Sequence, residues 1–130
     1  MPNRMLYDYI NSGGGLPPPI SRYFFKELLK GIDSLHSAGW AHRDLKLENI
    51  GLDQLYNPKI IDLGLAQNLN RPNGTGLMED FCGTPGCYMA PEMLLARGGF
   101  AYRGKPIDYF SIAVILFLIM GFGPPFDHAC

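Results

Sequence analysis

Three polar side chains of different chemistry lie close together between residues 41 and 49. This segment reads Ala-His-Arg-Asp-Leu-Lys-Leu-Glu-Asn, and it offers a carboxylate at Asp44, an amine at Lys46 and an amide at Asn49. A carboxylate can orient a hydroxyl and accept its proton, an amine can contact a phosphate, and an amide oxygen can hold Mg²⁺. Phosphoryl transfer needs such positioning and charge neutralisation more than it needs covalent chemistry. The alternative is a set of ordinary charges on a solvated loop.

The context of this segment favours a catalytic interpretation. It follows a predicted helix, precedes two predicted strands and fits the pattern H-R-D-L-x-x-x-N. It therefore resembles the catalytic loop of a serine/threonine protein kinase of the eukaryotic type. The resemblance implies that Asp44 is the base, that Lys46 contacts the transferred phosphate and that Asn49 binds magnesium. It also implies ATP and Mg²⁺ as cofactors and a protein serine or threonine as acceptor, because tyrosine kinases usually carry another residue in place of Lys46.

A second resemblance to the same family lies at Asp62-Leu63-Gly64. These residues are similar to the D-F-G triplet, with an apolar leucine in place of phenylalanine, and imply that Asp62 binds the magnesium ions that bridge the ATP phosphates. Gly51 takes the position of a bulky apolar residue beneath the adenine. Glu48 favours a basic residue near the phosphoacceptor. The residues that the resemblance assigns to cofactor binding are Lys46, Glu48, Asn49, Gly51 and Asp62.

The segments 82–85 and 89–92 resemble the end of a kinase activation segment. They read Cys-Gly-Thr-Pro and Met-Ala-Pro-Glu. In the family, a threonine at the position of Thr84 bonds toward the catalytic aspartate and lysine, which adds it to the catalytic set. Gly86-Cys87 contains one residue more than most relatives have there, which alters the expected substrate pocket. The arginine that usually pairs with the glutamate at the position of Glu92 is missing from the sequence.

Two carboxylates are predicted to organise the catalytic loop. Asp108 begins a long apolar run and resembles the buried aspartate that holds the loop backbone near His42 and Arg43; it would alternatively cap the helix. Asp80 lies where relatives regulated by phosphorylation carry the phosphothreonine that pairs with the arginine at the position of Arg43. We expect Asp80 to be a built-in, weaker substitute for that phosphate, and the alternative is a solvated acidic pair with Glu79.

The periodicity of the chain predicts a mainly α (α+β) fold. Apolar residues recur at helical spacing between Ser21 and Ser37, and residues 109–120 are almost wholly apolar, as in a buried helix. Residues 50–52 and 59–61 read as two strands, residues 5–10 as a short helical turn, and residues 65–90 as a long loop. By resemblance, residues 1–130 form one partial kinase domain, a C-lobe with a central buried helix, a short β-hairpin and a long activation loop.

Composition excludes several other classes of protein. The chain has 130 residues, of which 47% are hydrophobic and 18% charged, and 11 basic and 12 acidic side chains give a net charge of −1. Such a balance indicates one globular domain and gives no field that would attract nucleic acid or an anionic membrane. The spacing of the three cysteines matches no common zinc site, and reduced thiols in a cytoplasmic, intracellular setting are expected.

Parts of a complete kinase domain are missing from this sequence. It contains no G-x-G-x-x-G loop upstream of the catalytic loop and no strand lysine for the ATP phosphates. We therefore expect the chain alone to be inactive. Without covering helices, several apolar side chains of the run 109–120 are expected to be exposed and to drive association. The alternatives are an inactive kinase-like module that acts by binding proteins and, weakest of all, a membrane-anchored peptide ending in residues 109–126.

Overall fold

Four helices and three pairs of short strands make up the regular secondary structure of the described residues. The computed structural model describes residues 5–70, 77–83 and 87–122. The helices are α1 (Leu6–Gly13), α2 (Pro18–Ser37), α3 (Pro91–Leu95) and α4 (Gly104–Ile119), with 3₁₀ turns at Leu47–Asn49 and Ala96–Gly98. The strands are β1 (Trp40–Ala41), β2 (Ile50–Leu52), β3 (Pro58–Ile60), β4 (Gln67–Asn68), β5 (Leu77–Met78) and β6 (Tyr102–Arg103). All three pairs, β1 with β4, β2 with β3 and β5 with β6, are antiparallel.

Helix α2 confirms the clearest sequence prediction and begins earlier than predicted. Prolines occupy its first turn, where a fixed φ suits a helix and a missing N–H costs nothing. Ser21 is therefore not a cap; its Oγ donates to the carbonyl of Leu16 at 3.1 Å. Phe24, Leu28 and Ile32 are buried on one face. The helix thus presents an apolar stripe to the rest of the core.

Helix α4 packs against α2, and half of its residues are buried. Ile112, Ile115 and Ile119 join the main core with residues of α1, α2, the 3₁₀ turn and β2. The expectation that the run 109–120 would be uncovered is therefore wrong for most of its residues. Only Tyr109, Ala113 and Phe117 are exposed, and they follow one another at four-residue steps along a single stripe. Within the described residues, no helix combines the length and the hydropathy needed to span a bilayer.

The predicted hairpin is present, and its second strand is shifted by one residue along the chain. Strand β2 is as predicted, whereas β3 begins at Pro58, one residue earlier, so that Ile50 faces Ile60. Asp53 closes the turn, because its Oδ1 accepts the backbone N–H groups of Leu55 at 2.8 Å and Asn57 at 2.9 Å. These hydrogen bonds hold the pKa of the Asp53 carboxyl below its ordinary value.

The predicted long loop contains more structure than its sequence suggested. Its described residues include β4, which pairs with β1, and β5, which pairs with β6 at the start of α4. A second apolar core forms beside β5 and β6 and includes Met78, Met93, Tyr102 and Ile107. The loop is thereby attached to the body of the fold at two points on either side of residues 71–76.

Gly104 at the start of α4 is predicted to tolerate no side chain. A Cβ there would lie 2.7 Å from Ala41 Cβ and 2.9 Å from Met78 Cε. We expect Gly104→Ala to destabilise the fold by about 1–3 kcal/mol, because the second core would have to move apart. Gly98→Ala is the matched control, since its Cβ would make only ordinary contacts at 3.6 Å with the Phe100 ring. Urea denaturation of both variants measures the difference, and equal stabilities would contradict the packing argument.

Candidate functional site

The buried carboxylate of Asp108 fixes the backbone of the candidate catalytic loop. Its Oδ1 accepts the N–H of Arg43 at 2.9 Å, and its Oδ2 accepts the N–H of His42 at 2.8 Å and Nε2–H of His36 at 2.8 Å. Because α4 begins at Gly104, Asp108 lies one turn inside the helix and is not its N-cap. Arg43 has a φ of 72°, a left-handed conformation that costs about 1–2 kcal/mol for a residue with a side chain. The hydrogen bonds to Asp108 hold it there.

The structure brings together the three polar groups predicted from the sequence. Asn49 Nδ2 donates to the backbone carbonyl of Asp44 at 2.7 Å, and Lys46 Nζ lies 3.9 Å from Asp44 Oδ2. The Asp44 N–H donates to His42 Nδ1 at 3.1 Å. Leu45 and Leu47 are buried on either side of Lys46, so the loop alternates between apolar anchors and polar groups. Carboxylate, amine and amide therefore share one rigid loop.

The segment that contains Asp62 is joined to this loop by two hydrogen bonds. The N–H of Ile61 donates to the carbonyl of Asn49 at 2.9 Å, and His42 Nε2–H donates to the carbonyl of Ile61 at 3.1 Å. Asp62 itself has a φ of 61°, and its Oδ1 accepts the N–H of Gly64 at 3.2 Å. These two hydrogen bonds of the Ile61 backbone thus bring the Asp62 segment next to Asn49.

Leu63, the apolar residue that replaces the phenylalanine of the D-F-G triplet, is not packed into the core. Its side chain is 55% exposed. It lines a cavity of about 290 Å³ together with Leu35, Trp40 and Ala66. The leucine thus borders an apolar hollow and does not fill it.

Arg43 forms a latch, defined here as its contacts with Leu65, Asp80 and Tyr102. Its Nη1 donates to Asp80 Oδ1 at 2.8 Å and to the Tyr102 hydroxyl at 3.0 Å, and its Nε donates to the carbonyl of Leu65 at 2.9 Å. The Tyr102 hydroxyl in turn donates to the carbonyl of Asp80 at 2.7 Å. The predicted contact of Asp80 is therefore present. Tyr102 was missed, because a lone tyrosine before a helix carries no sequence signal.

Burial and hydrogen bonding have opposite effects on the pKa values of Arg43 and Tyr102, the two titratable groups at the centre of the latch. Burial alone would lower the pKa of Arg43, but its hydrogen bonds to Asp80 and Tyr102 raise it overall. Burial raises the pKa of Tyr102 to about 12, although the neighbouring arginine opposes the shift. Both groups therefore hold their protons firmly, with the arginine charged and the phenol neutral at neutral pH.

The remaining predicted residues lie around this centre or outside the described part of the chain. Glu48 is exposed, Gly51 is buried in β2, and Glu92 is half-buried in α3. Thr84 and Gly86, the first residue of the pair Gly86-Cys87 in which one residue is extra, lie outside the described residues. Cys82 is a free thiol, as expected, and burial raises its pKa, whereas Cys87 is disulfide-bonded, against the expectation of reduced thiols.

Comparison with known proteins gives matches along nearly the whole chain. Residues 1–129 match the protein kinase domain family. The chain is 38% identical over 95% of its length to CBL-interacting protein kinase 30 of Oryza sativa subsp. japonica, of which it covers 25%. It is 42% identical over 93% of its length to probable serine/threonine-protein kinase 2 of Plasmodium falciparum, of which it covers 22%. The chain thus spans about a quarter of the length of these relatives.

Replacement of Asp108 is predicted to loosen the loop and the fold together. Asp108→Asn keeps the size of the side chain but removes one of two oxygens that accept three donors. Because a buried donor would then lack a partner, we expect a loss of about 3 kcal/mol in the free energy of unfolding. Asp33→Asn, on the exposed side of α2, removes the same charge and should change stability by no more than about 0.5 kcal/mol. A similar loss in both variants, measured by urea denaturation, would contradict this account.

Proposed function

The chain belongs to the protein kinase family, and we propose that residues 1–130 form the C-lobe part of a serine/threonine protein kinase. Such an enzyme transfers the γ-phosphate of ATP to serine or threonine hydroxyls of intracellular protein substrates. The observation that carries the proposal is the hydrogen-bonded loop that holds Asp44, Lys46 and Asn49 together and joins them to the Asp62 segment. The serine/threonine class is supported by Lys46 and by the similarity to probable serine/threonine-protein kinase 2 of Plasmodium falciparum.

In this proposal Asp44 is the catalytic base. Its carboxylate orients the substrate hydroxyl and accepts its proton during phosphoryl transfer. Lys46, which lies 3.9 Å from Asp44 Oδ2, neutralises charge on the transferred phosphate. Thr84, by resemblance, adds a hydroxyl that bonds toward the same pair.

The donor set beside Asp44 fits a magnesium ion. Because Asn49 uses Nδ2 to donate to the Asp44 carbonyl, its amide oxygen is the atom suited to bind a cation. Asp62 supplies a carboxylate from the neighbouring segment, and oxygen ligands of this kind are the ones Mg²⁺ prefers. When bound, ATP would supply the phosphate that is transferred, and Mg²⁺ would neutralise the negative charge of the ATP phosphates. No group of three or more His, Cys, Asp or Glu side chains surrounds a metal position among the described residues, so water and phosphate oxygens would complete the coordination.

The latch supports the further proposal that Asp80 takes the place of an activating phosphate. Arg43 holds Asp80 and, through Leu65, the segment that follows Asp62. An aspartate carries one negative charge where a phosphate carries about 1.5 to 2. The Tyr102 hydroxyl compensates by bridging Arg43 and the Asp80 backbone. The activation segment is therefore held without modification.

A chimeric kinase tests the catalytic proposal. The chain replaces the matching segment of CBL-interacting protein kinase 30, and the rest of that protein completes the enzyme. We expect this chimera to transfer ³²P from ATP to peptide serine or threonine, and Asp44→Asn to lower kcat by about 10²–10⁴-fold. Asp33→Asn is the control and should leave kcat unchanged.

The outcome of this experiment separates the main proposal from its alternative. A folded chimera that binds ATP but transfers no phosphate would contradict the catalytic role and favour a non-catalytic, protein-binding module. Phosphotyrosine as the product would contradict the serine/threonine class. The same assay on the chain alone tests the expectation that it is inactive without an N-lobe.

A second pair of variants in the same chimera tests the latch. Asp80→Asn removes the charge that Arg43 contacts, whereas Glu79→Gln removes the neighbouring exposed charge. We expect Asp80→Asn alone to lower activity, by up to about fivefold, because exposed ion pairs contribute no more than about 1 kcal/mol. Phosphatase treatment should leave the activity of the parent chimera unchanged. Equal activities of the two variants, or loss of activity with phosphatase, would refute the role of Asp80.

A further inference from the structure

Ser111 places a buried hydroxyl within the apolar helix α4. Ser111 and Asp108 are the two polar side chains among the buried residues of this helix. The Ser111 Oγ lies 2.6 Å from the carbonyl oxygen of Tyr88 and 3.1 Å from that of Ile107. A hydroxyl has one proton, so it donates to one of these oxygens at a time. Ser111 has no part in the catalytic proposal or in the latch.

The carbonyl of Tyr88 depends on this hydrogen bond more than the carbonyl of Ile107 does. Within an α-helix the Ile107 carbonyl already accepts the backbone N–H four residues later. Tyr88 lies in a turn, outside the helices and strands of the described residues, where a carbonyl has no regular backbone partner. The shorter distance agrees with this difference. The hydroxyl of Ser111 therefore ties the Tyr88 backbone to α4.

The residues that follow Tyr88 lie beside the candidate catalytic base. A cavity of about 20 Å³ is lined by Arg43 and Asp44 of the catalytic loop, by the segment 88–90 and by Ser111. Neighbouring residues of a peptide are only about 3.8 Å apart. An acceptor whose hydroxyl reaches Asp44 therefore brings its neighbouring residues close to the segment 88–90.

One face of α4 holds both the catalytic loop and this segment. Asp108 accepts the backbone N–H of Arg43 at 2.9 Å, and Ser111 donates to the carbonyl of Tyr88. Residues three apart in a helix are neighbours on one face, with about 5–6 Å between their Cβ atoms. The helix thus fixes the position of the segment 88–90 relative to the loop.

The side chain of Tyr88 gives the segment a second attachment. Its ring packs against the main core. Burial raises the pKa of its hydroxyl to about 12, although a hydrogen bond with the Leu47 backbone opposes the shift. Leu47 belongs to the 3₁₀ turn that also contains Asn49. Tyr88 is therefore held at its carbonyl by α4 and at its hydroxyl by the catalytic loop.

We propose that Ser111 is a positioning residue for the acceptor peptide, because its hydroxyl holds the segment 88–90 where the peptide passes Asp44. Ser111 acts through Tyr88 and performs no chemistry itself. Without its hydroxyl the peptide meets a less ordered surface, whereas the catalytic loop is still held by Asp108. This role rests on the proposed function, since it concerns the acceptor of the same site.

The chimeric kinase described above tests this role by separating the KM for the peptide from kcat. We expect Ser111→Ala to raise the peptide KM by about fivefold, because one hydrogen bond is lost, and to change kcat and the KM for ATP by less than about twofold. Ser111→Thr keeps the hydroxyl, and its methyl group can enter the adjoining cavity, so it should restore the parent KM. Ser34→Ala, at an exposed position of α2, is the control and should change none of the three constants.

A measurement that needs no catalysis separates this role from the proposed function. Fluorescence anisotropy gives the Kd of the full chain for a fluorescein-labelled peptide with one serine beside an arginine, the basic neighbour that Glu48 favours. Ser111→Ala should raise this Kd by about fivefold, and Ser111→Thr should leave it unchanged. Tyr88→Phe releases only the hydroxyl end of the segment and gives a second variant with the same expected direction. A chimera that transfers no phosphate would contradict the proposed function, and the Kd values would still decide the role of Ser111.

The outcomes separate positioning from a general loss of structure. A rise in the peptide KM and Kd alone, reversed by threonine, supports the role of Ser111. Equal constants in Ser111→Ala and Ser34→Ala would overturn it, and so would a parent chain that binds no peptide. A parallel loss in kcat and in both KM values, without rescue by Ser111→Thr, would show a purely structural serine and would also overturn it.

Discussion

A carboxylate that is 1% exposed is stable as an ion only if its neighbours donate to it, and Asp108 is surrounded accordingly. Its three donors come from two different parts of the chain, the end of α2 and the loop that follows β1. The same bonds keep Arg43 in its left-handed conformation, which a free loop would leave. The direction of the Arg43 side chain, and with it the latch, therefore depends on a charge inside α4.

Two apolar cores anchor the polar loop on either side. Ala41 belongs to the core around Met78 and Tyr102, whereas Leu45 and Leu47 belong to the core between α2 and α4. Lys46 between the two leucines has an extended backbone, with φ −158° and ψ 166°. In extended chain successive side chains point to opposite sides, so burial of the leucines exposes the polar residues between them. Apolar packing thus sets the positions of the polar side chains of the candidate site.

The sequence predicted those parts of the structure that have a local pattern. Helix α2, the buried run in α4 and the hairpin follow from periodicity and turn residues, and the contact of Arg43 with Asp80 follows from family resemblance. Two-residue strands such as β1 and β6 have no pattern of their own, since their pairing depends on distant segments. The sequence predicted that Ile112, Ile115 and Ile119 lie in a buried helix, but the residues that cover them were missed for the same reason. Their partners in α1, α2 and β2 are remote in the sequence, and periodicity does not reveal which faces meet.

The start of α4 places several features within a few residues of one another. Tyr102, two residues before the helix, bridges the latch, Gly104 packs against Ala41 and Met78, and Asp108 holds the candidate catalytic loop. A helix is stiff over one turn, so Gly104 and Asp108 cannot move independently. The tight contact at Gly104 fixes the helix against β1 and β5, and a shift there would displace the latch and the loop at once. The geometry of the candidate site is therefore set by how one helix begins, and the loop contributes the side chains that are proposed to perform the chemistry.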